Sequence, residues 1–149
     1  MQQLATKPDV RLMTLWPPYR FESPFAGKGY VLLLHSDDPN IPADAQSALA
    51  DQIFATGCRY ACCSGVACSS WDDAIDFAFI ATDPNYQPSD ERLLMTTWHE
   101  RESLSEVVWF ALNNTSFDDF VAERFLIVLL SPVGGREEEV RAAAAACAG

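Results

Sequence analysis

Tyr30-Val31-Leu32-Leu33-Leu34-His35, followed at once by Ser36-Asp37-Asp38-Pro39, decides the fold. The run is nearly continuous in apolar character and does not alternate. A strand wetted on one face alternates apolar and polar residues, so a continuous run marks a strand covered on both faces, as in parallel sheets. Three further runs lie downstream: Cys58-Arg59-Tyr60-Ala61-Cys62-Cys63-Ser64, Leu93-Leu94-Met95-Thr96-Thr97-Trp98, and Phe125-Leu126-Ile127-Val128-Leu129-Leu130-Ser131. A helix signal follows each run. Strands near 30–35, 58–64, 93–98 and 125–131 are therefore expected to lie parallel, joined by right-handed helical crossovers. The expected fold is a three-layer α/β sandwich with a mostly parallel sheet of four or five strands, flavodoxin-like or Rossmann-like.

The helices read as follows. Residues 43–56 place Ala45, Leu49 and Ile53 on one face, and Gly57 is a natural stop. Residues 71–82 carry Trp71, Ala74, Ile75, Ala78 and Phe79 at helical spacing, with Ser70 as the expected cap. Ser103-x-x-Glu106 is a capping box for a helix over 104–114, whose face is Leu104, Val107, Val108, Ala111 and Leu112. Trp109 and Phe110 fall partly outside that face, so coverage by an N-terminal arm is expected there, with a partner surface as the rival. Ser116–Phe120 reads as a short helical turn. Arg136–Ala146 reads as a last helix whose leading acids suit the helix dipole.

Residues 1–29 read as an irregular arm packed on one domain spanning 1–149. Val10–Trp16 can form a short strand at a sheet edge, and Pro17-Pro18 stops it. Trp16, Phe21 and Phe25 are expected to be buried as the arm wraps the domain. At 149 residues the chain can bury a core without staples. It has no apolar stretch long enough for a membrane span and no signal-peptide core at Met1–Pro8, so a cytoplasmic protein is expected. Cys58, Cys62, Cys63 and Cys68 match no paired zinc-knuckle spacing. Cys62 and Cys63 are strand neighbours and must face opposite ways. Reduced, buried thiols are expected.

The net charge is −11. Lys7, Arg11, Arg20 and Lys28 outnumber Asp9 and Glu22 in residues 1–28, so the acidic excess lies entirely in residues 29–149. Such a surface repels nucleic acid and anionic lipid, and it speeds encounter with basic partners.

Candidate chemistry gathers where the strands end, because a parallel sheet collects its loops on one side. His35, Asp37 and Asp38 follow the first strand, Ser64, Gly65 and Cys68 the second, and His99, Glu100, Arg101 and Glu102 the third. Asp37, Asp38 and Glu100 are oxygen donors suited to Mg²⁺, with His99 and Glu100 as the candidate acid–base pair. No cofactor is expected. The loop after the first strand has no glycine, so Gly-x-Gly-x-x-Gly is missing there, and the P-loop pattern occurs nowhere in the sequence. Ser64–Ser70 is a better anion loop, but Asp72 and Asp73 in the following turn oppose a phosphate. Cys68 precedes a helix without a basic neighbour to support a thiolate. Gly-x-Ser-x-Gly is missing.

Leu33-Leu34-His35-Ser36-Asp37-Asp38-Pro39-Asn40 resembles the acidic pair after the first strand of response-regulator receiver domains. The likeness covers about ten residues. Where that family has a phospho-accepting Asp at the end of its third strand, this chain has Trp98-His99-Glu100. Where it has Lys-Pro, this chain has Ser131-Pro132. No active-site residue carries over.

The function these features suggest is a non-enzymatic acidic protein-binding domain. One concrete form is an immunity or inhibitor protein for a basic toxin; another is a regulatory adaptor. Trp98, Trp109 and Phe110 are the expected anchors, with Asp37 and Asp38 as acidic contacts to a protein partner with a basic surface. The alternative is a small metal-dependent hydrolase or phosphotransfer enzyme at the strand-end carboxylates.

Overall fold

In the computed structural model, residues 1–6 and 8–147 are described. The chain runs β1 (Gln2–Ala5), β2 (Asp9–Leu15), β3 (Tyr30–Ser36), α1 (Ala43–Ala55), β4 (Cys58–Gly65), α2 (Cys68–Ile80), β5 (Met95–His99), α3 (Leu104–Asn113), β6 (Arg124–Leu130) and α4 (Glu137–Cys147). Among the described residues they form one six-stranded sheet, ordered β1-β2-β6-β3-β4-β5. All neighbours pair parallel except β1 with β2. This is an α/β sandwich with helices on both faces.

The continuous apolar runs do what two-sided burial requires. All seven residues of β3 are buried. Leu32 and Leu34 pack with Leu49, Ile53, Trp71 and Ile75 of α1 and α2. Val31 and Leu33 pack with Val107, Val108 and Val140 of α3 and α4. Cys63 belongs to the first layer and Cys62 to the second, as strand alternation demands. Each fully buried Leu or Ile contributes about 1.5–3 kcal/mol relative to exposure, so the two layers carry the stability.

The structure corrects the sequence reading at several points. The sheet has six strands rather than four or five, because Gln2–Ala5 and Asp9–Leu15 are strands and not part of an irregular arm. β2 lies inside the sheet against β6 along its whole length, and β1 closes that edge antiparallel. Val10 and Leu12 go to the α4 side and Met13 and Leu15 to the α1 side, so the strand is covered on both faces despite its polar residues. Phe21 and Phe25 are buried as expected, but against α1 and β3, while Trp16 stays 52% exposed. The arm therefore does not cover α3, and Trp109 is 54% exposed.

α2 begins three residues early, at Cys68, and its cap is Ala67 at φ 57°, not Ser70. Ala45 faces water, and Gln46 takes its place on the buried side of α1. The third strand starts at Met95. Residues 117–120 form a tight antiparallel turn with Asp118 at φ 47°, not a helical one. The capping box of α3 is present in both directions, Ser103 to Glu106 and back. Among the described residues no helix is long and apolar enough to cross a membrane.

Candidate functional site

β3 leads into α1 on one face of the sheet, while its neighbour β6 leads into α4 on the other. The two loops diverge at the carboxyl ends of the strands, the usual ligand position in open α/β sheets. Here they are bridged by an ion pair. Arg136 donates from Nε to Asp37 Oδ2 at 3.2 Å and from Nη2 to Asp37 Oδ1 at 3.3 Å. Arg136 also reaches Glu139.

A buried polar chain continues inward from Asp37. His35 Nε2 lies 3.1 Å from Asp37 Oδ1, and His35 Nδ1 lies 2.8 Å from Ser64 Oγ. Burial holds the imidazole below its ordinary range, although Asp37 pulls the other way. The ring is then neutral at pH 7. A carboxylate can only accept, so Nε2 carries the proton and Nδ1 accepts from the Ser64 hydroxyl. Burial pushes Asp37 up, but the Arg136 hydrogen bonds and His35 outweigh it and keep the carboxyl below the usual range.

The order Ser64–His35–Asp37 has the connectivity of a general-base relay. Ser64 and His35 are 2% and 7% exposed, however, so the hydroxyl has little access to a substrate. The parallel register that sets His35 beside Ser64 could have been drawn from β3 and β4 being neighbours. Arg136, a hundred residues away in sequence, gave no such signal.

The second histidine builds a separate group. His99 Nδ1 lies 3.0 Å from Glu102 Oε2, and Nε2 lies 2.9 Å from Thr97 Oγ1. Phe110 stacks edge-on against the ring at 4.8 Å. Glu100 is exposed and joins neither group. Asp38 turns away to accept from the Tyr19 hydroxyl at 2.7 Å. Asp37, Asp38 and Glu100 are thus sent to three different surroundings. Among the described residues no three His, Cys, Asp or Glu side chains meet as a metal-holding group.

The expected partner-binding residues also divide. Asp37 and Asp38 follow β3, two strands from β5. Trp98, 54% exposed, alternates with Thr97 and His99 and so points to the α2 side of β5. Trp109 and Phe110 lie on the α3 side, where with Glu102 and Glu106 they line a shallow pocket of about 330 Å³. The outer edge of β5 runs between them. Among the described residues no backbone group beyond the sheet bonds to 95–99. A further exposed aromatic pair went unread in the sequence: Phe77 and Tyr86 stack at 6.2 Å on the outside of α2.

The thiols are buried at 58, 62, 63 and 68 and unbridged. Burial pushes Cys62 up to about 12, and burial together with Glu100 raises Cys68, the opposite of thiolate activation.

Asp72 stands out for a different reason. It is 6% exposed, and its Oδ1 has no hydrogen-bond partner. Burial raises its carboxyl above the usual 3.8, Asp73 and Asp76 add to that, and Thr96 opposes it. A carboxyl whose folded pKa is raised favours folding only while protonated and costs stability as pH rises through that value. Asp72→Asn should therefore stabilise the protein at pH 7 by on the order of 1 kcal/mol, and the gain should vanish below about pH 4. Urea melts at the two pH values check this; an unchanged or lower midpoint at pH 7 would contradict it.

Fold and geometry together define an α/β sandwich domain with a locked polar relay at its switch point and an aromatic, open sheet edge. The chain belongs to the family described as a domain of unknown function, DUF7684, whose model matches residues 2–147. No match is found among curated proteins or among solved structures.

Proposed function

We propose that this domain is a non-enzymatic protein-binding module whose partner presents a basic surface, as an immunity or inhibitor protein or a regulatory adaptor does. The observation that carries the reading is the pair of half-exposed tryptophans, Trp98 and Trp109, on either side of the open edge of β5. Burying rings of that size is what binding hot spots do. The strand between them, Met95-Thr96-Thr97-Trp98-His99, has no Lys or Pro to guard its edge. A partner strand laid along it would meet Trp98 on one face and the Trp109–Phe110 pocket on the other. That pocket sets two aromatic rings beside Glu102 and Glu106, a lining suited to a lysine or arginine side chain. Excess acid in residues 29–149 would speed encounter, and nucleic acid would be disfavoured. The strand order, with loops diverging between β3 and β6, supports a Rossmann-like description of the sandwich.

The test is capture from the native cell with wild-type protein and with a Trp98→Ala/Trp109→Ala variant, followed by association rates at two salt concentrations. The expected partner is basic, is lost by the variant, and binds several-fold faster at low salt, since charges more than about 8–10 Å apart are screened at ordinary ionic strength. A partner whose on-rate ignores salt would sink the steering argument.

A second reading, distinct from the metal-dependent enzyme at the strand-end carboxylates, has one favourable observation, the Ser64–His35–Asp37 relay. Failure to capture any partner, together with hydrolysis of an activated ester abolished by Ser64→Ala, would bring it forward.

A further inference from the structure

Beside the switch point, on the α1 side, the chain leaves a cleft of about 340 Å³ between residues 17–19 and the first turns of α1. Small-molecule sites begin at about this size. Pro17, Pro18, Ile41 and Pro42 line it, and the buried Leu49 and Trp71 form its floor. The lining is apolar apart from a few groups, and among the described residues Asp38 is its charged side chain.

Asp38 is held in place without being neutralised. Its Oδ2 accepts from the Tyr19 hydroxyl at 2.7 Å and its Oδ1 from the Asn40 backbone N–H at 2.9 Å. Burial and this acceptor push the Tyr19 phenol up, so it stays protonated and donates. Both donors are uncharged. Among the described residues no Lys, Arg or His lies within ion-pair distance of Asp38, and Arg136 is taken by Asp37 and Glu139. A carboxylate oxygen accepts two hydrogen bonds, so Asp38 has acceptor sites left over. A fixed, unneutralised carboxylate in an apolar cleft selects a cation and repels an anion, and Asp44 in the first turn of α1 adds to the repulsion.

We infer that this cleft binds a small organic amine, with its ammonium on Asp38 and a compact apolar body against Leu49, Trp71 and the three prolines. The site lies two strands from the β5 edge and is independent of the partner surface proposed there. A lysine side chain offers the same ammonium on an apolar stem. A floor made by Trp71 and Leu49 suits a compact body better than an unbranched stem, so the inference commits to the free amine.

The experiment is a backbone amide NMR titration of the full chain with 2-phenylethylammonium. Two comparison probes are 3-phenylpropanoate, its anionic counterpart, and Nα-acetyl-lysine N-methylamide, for the lysine source. The ammonium probe should give saturable shifts at Tyr19, at the non-proline residues of 38–52 and around Trp71. The anion should bind at least about tenfold more weakly, a difference of about 1.4 kcal/mol, and Asp38→Asn should weaken the amine to a similar degree. Ala48→Phe, on the exposed side of α1, should fill the cleft and abolish binding while the spectrum stays dispersed. Absence of saturable shifts in wild type, equal binding of the anion, or amine binding unchanged in Asp38→Asn overturns the inference. Tighter binding of the lysine compound than of 2-phenylethylammonium overturns it in favour of a protein ligand.

Discussion

Gly65→Ala should lower the melting temperature by roughly 10 °C, a loss on the order of 3 kcal/mol for a chain of this size. Two costs add. Gly65 ends β4 at φ +82°, a conformation that residues with a Cβ adopt only under strain. A Cβ there would also collide with the Ser36 carbonyl oxygen and press on His35 Cε1 at 3.0 Å and Nδ1 at 3.1 Å. The Ser36 oxygen is backbone, and it also accepts from Val66 N at 2.8 Å, so it cannot simply move aside. The His35 ring is held from both sides by Ser64 and Asp37. Gly135 supplies the control. It has φ +101° but nothing within 4 Å of its would-be Cβ, so Gly135→Ala should show the conformational strain alone, about 1 kcal/mol. Thermal melts of the two variants side by side separate strain from collision. A Gly65→Ala protein that melts with Gly135→Ala would show that the sheet end yields, and that the relay is not rigid.

What could be read from the sequence followed from how strongly each residue's surroundings are set by its own neighbours. The runs at 30–35 and 125–131 announce two-sided burial because every position before the closing His35 and Ser131 is apolar or aromatic, and the structure places them side by side at the centre of the sheet. Ser103 and Glu106 specify a helix start through bonds within four residues, and both bonds form. β2 was harder. Asp9, Arg11 and Thr14 interrupt its apolar residues, and what makes it an inner strand is pairing with β6, more than a hundred residues away. The start of α2 carries no side-chain signal, because Ala67 in the left-handed region, rather than a side-chain cap, begins it. At the site, His35, Asp37, Ser64 and His99 were legible as strand-end residues. Their separation into a His35 group and a His99 group depends on Arg136 and Phe110, which come from α4's threshold and from α3. In sequence Asp37 and Asp38 form one acidic pair, yet adjacent residues after a strand turn to different sides: Asp37 goes to Arg136 and Asp38 to Tyr19.

Trp71→Ala should destabilise the protein by about 3–5 kcal/mol, whereas Trp98→Ala and Trp109→Ala should each cost no more than about 1 kcal/mol. The three residues are chemically identical, so the contrast isolates position. Trp71 is 1% exposed and packs in the layer of Leu32, Leu34, Ile53 and Ile75, so its removal leaves a cavity that two rigid helices and a sheet cannot close. Trp98 and Trp109 are each 54% exposed, and truncating them returns surface that water already half covers. Should Trp71→Ala fail to fold, Trp71→Phe leaves a smaller void and should fall between the extremes. Partner affinity should show the reverse ranking. Loss of either exposed ring should weaken binding by at least about tenfold, as expected of an aromatic anchor at an interface. Urea melts and binding measurements on the same preparations read both scales. A Trp98→Ala or Trp109→Ala protein that loses several kcal/mol of stability would make that ring part of the core, and the β5 edge would then lose its reason to be read as a docking surface.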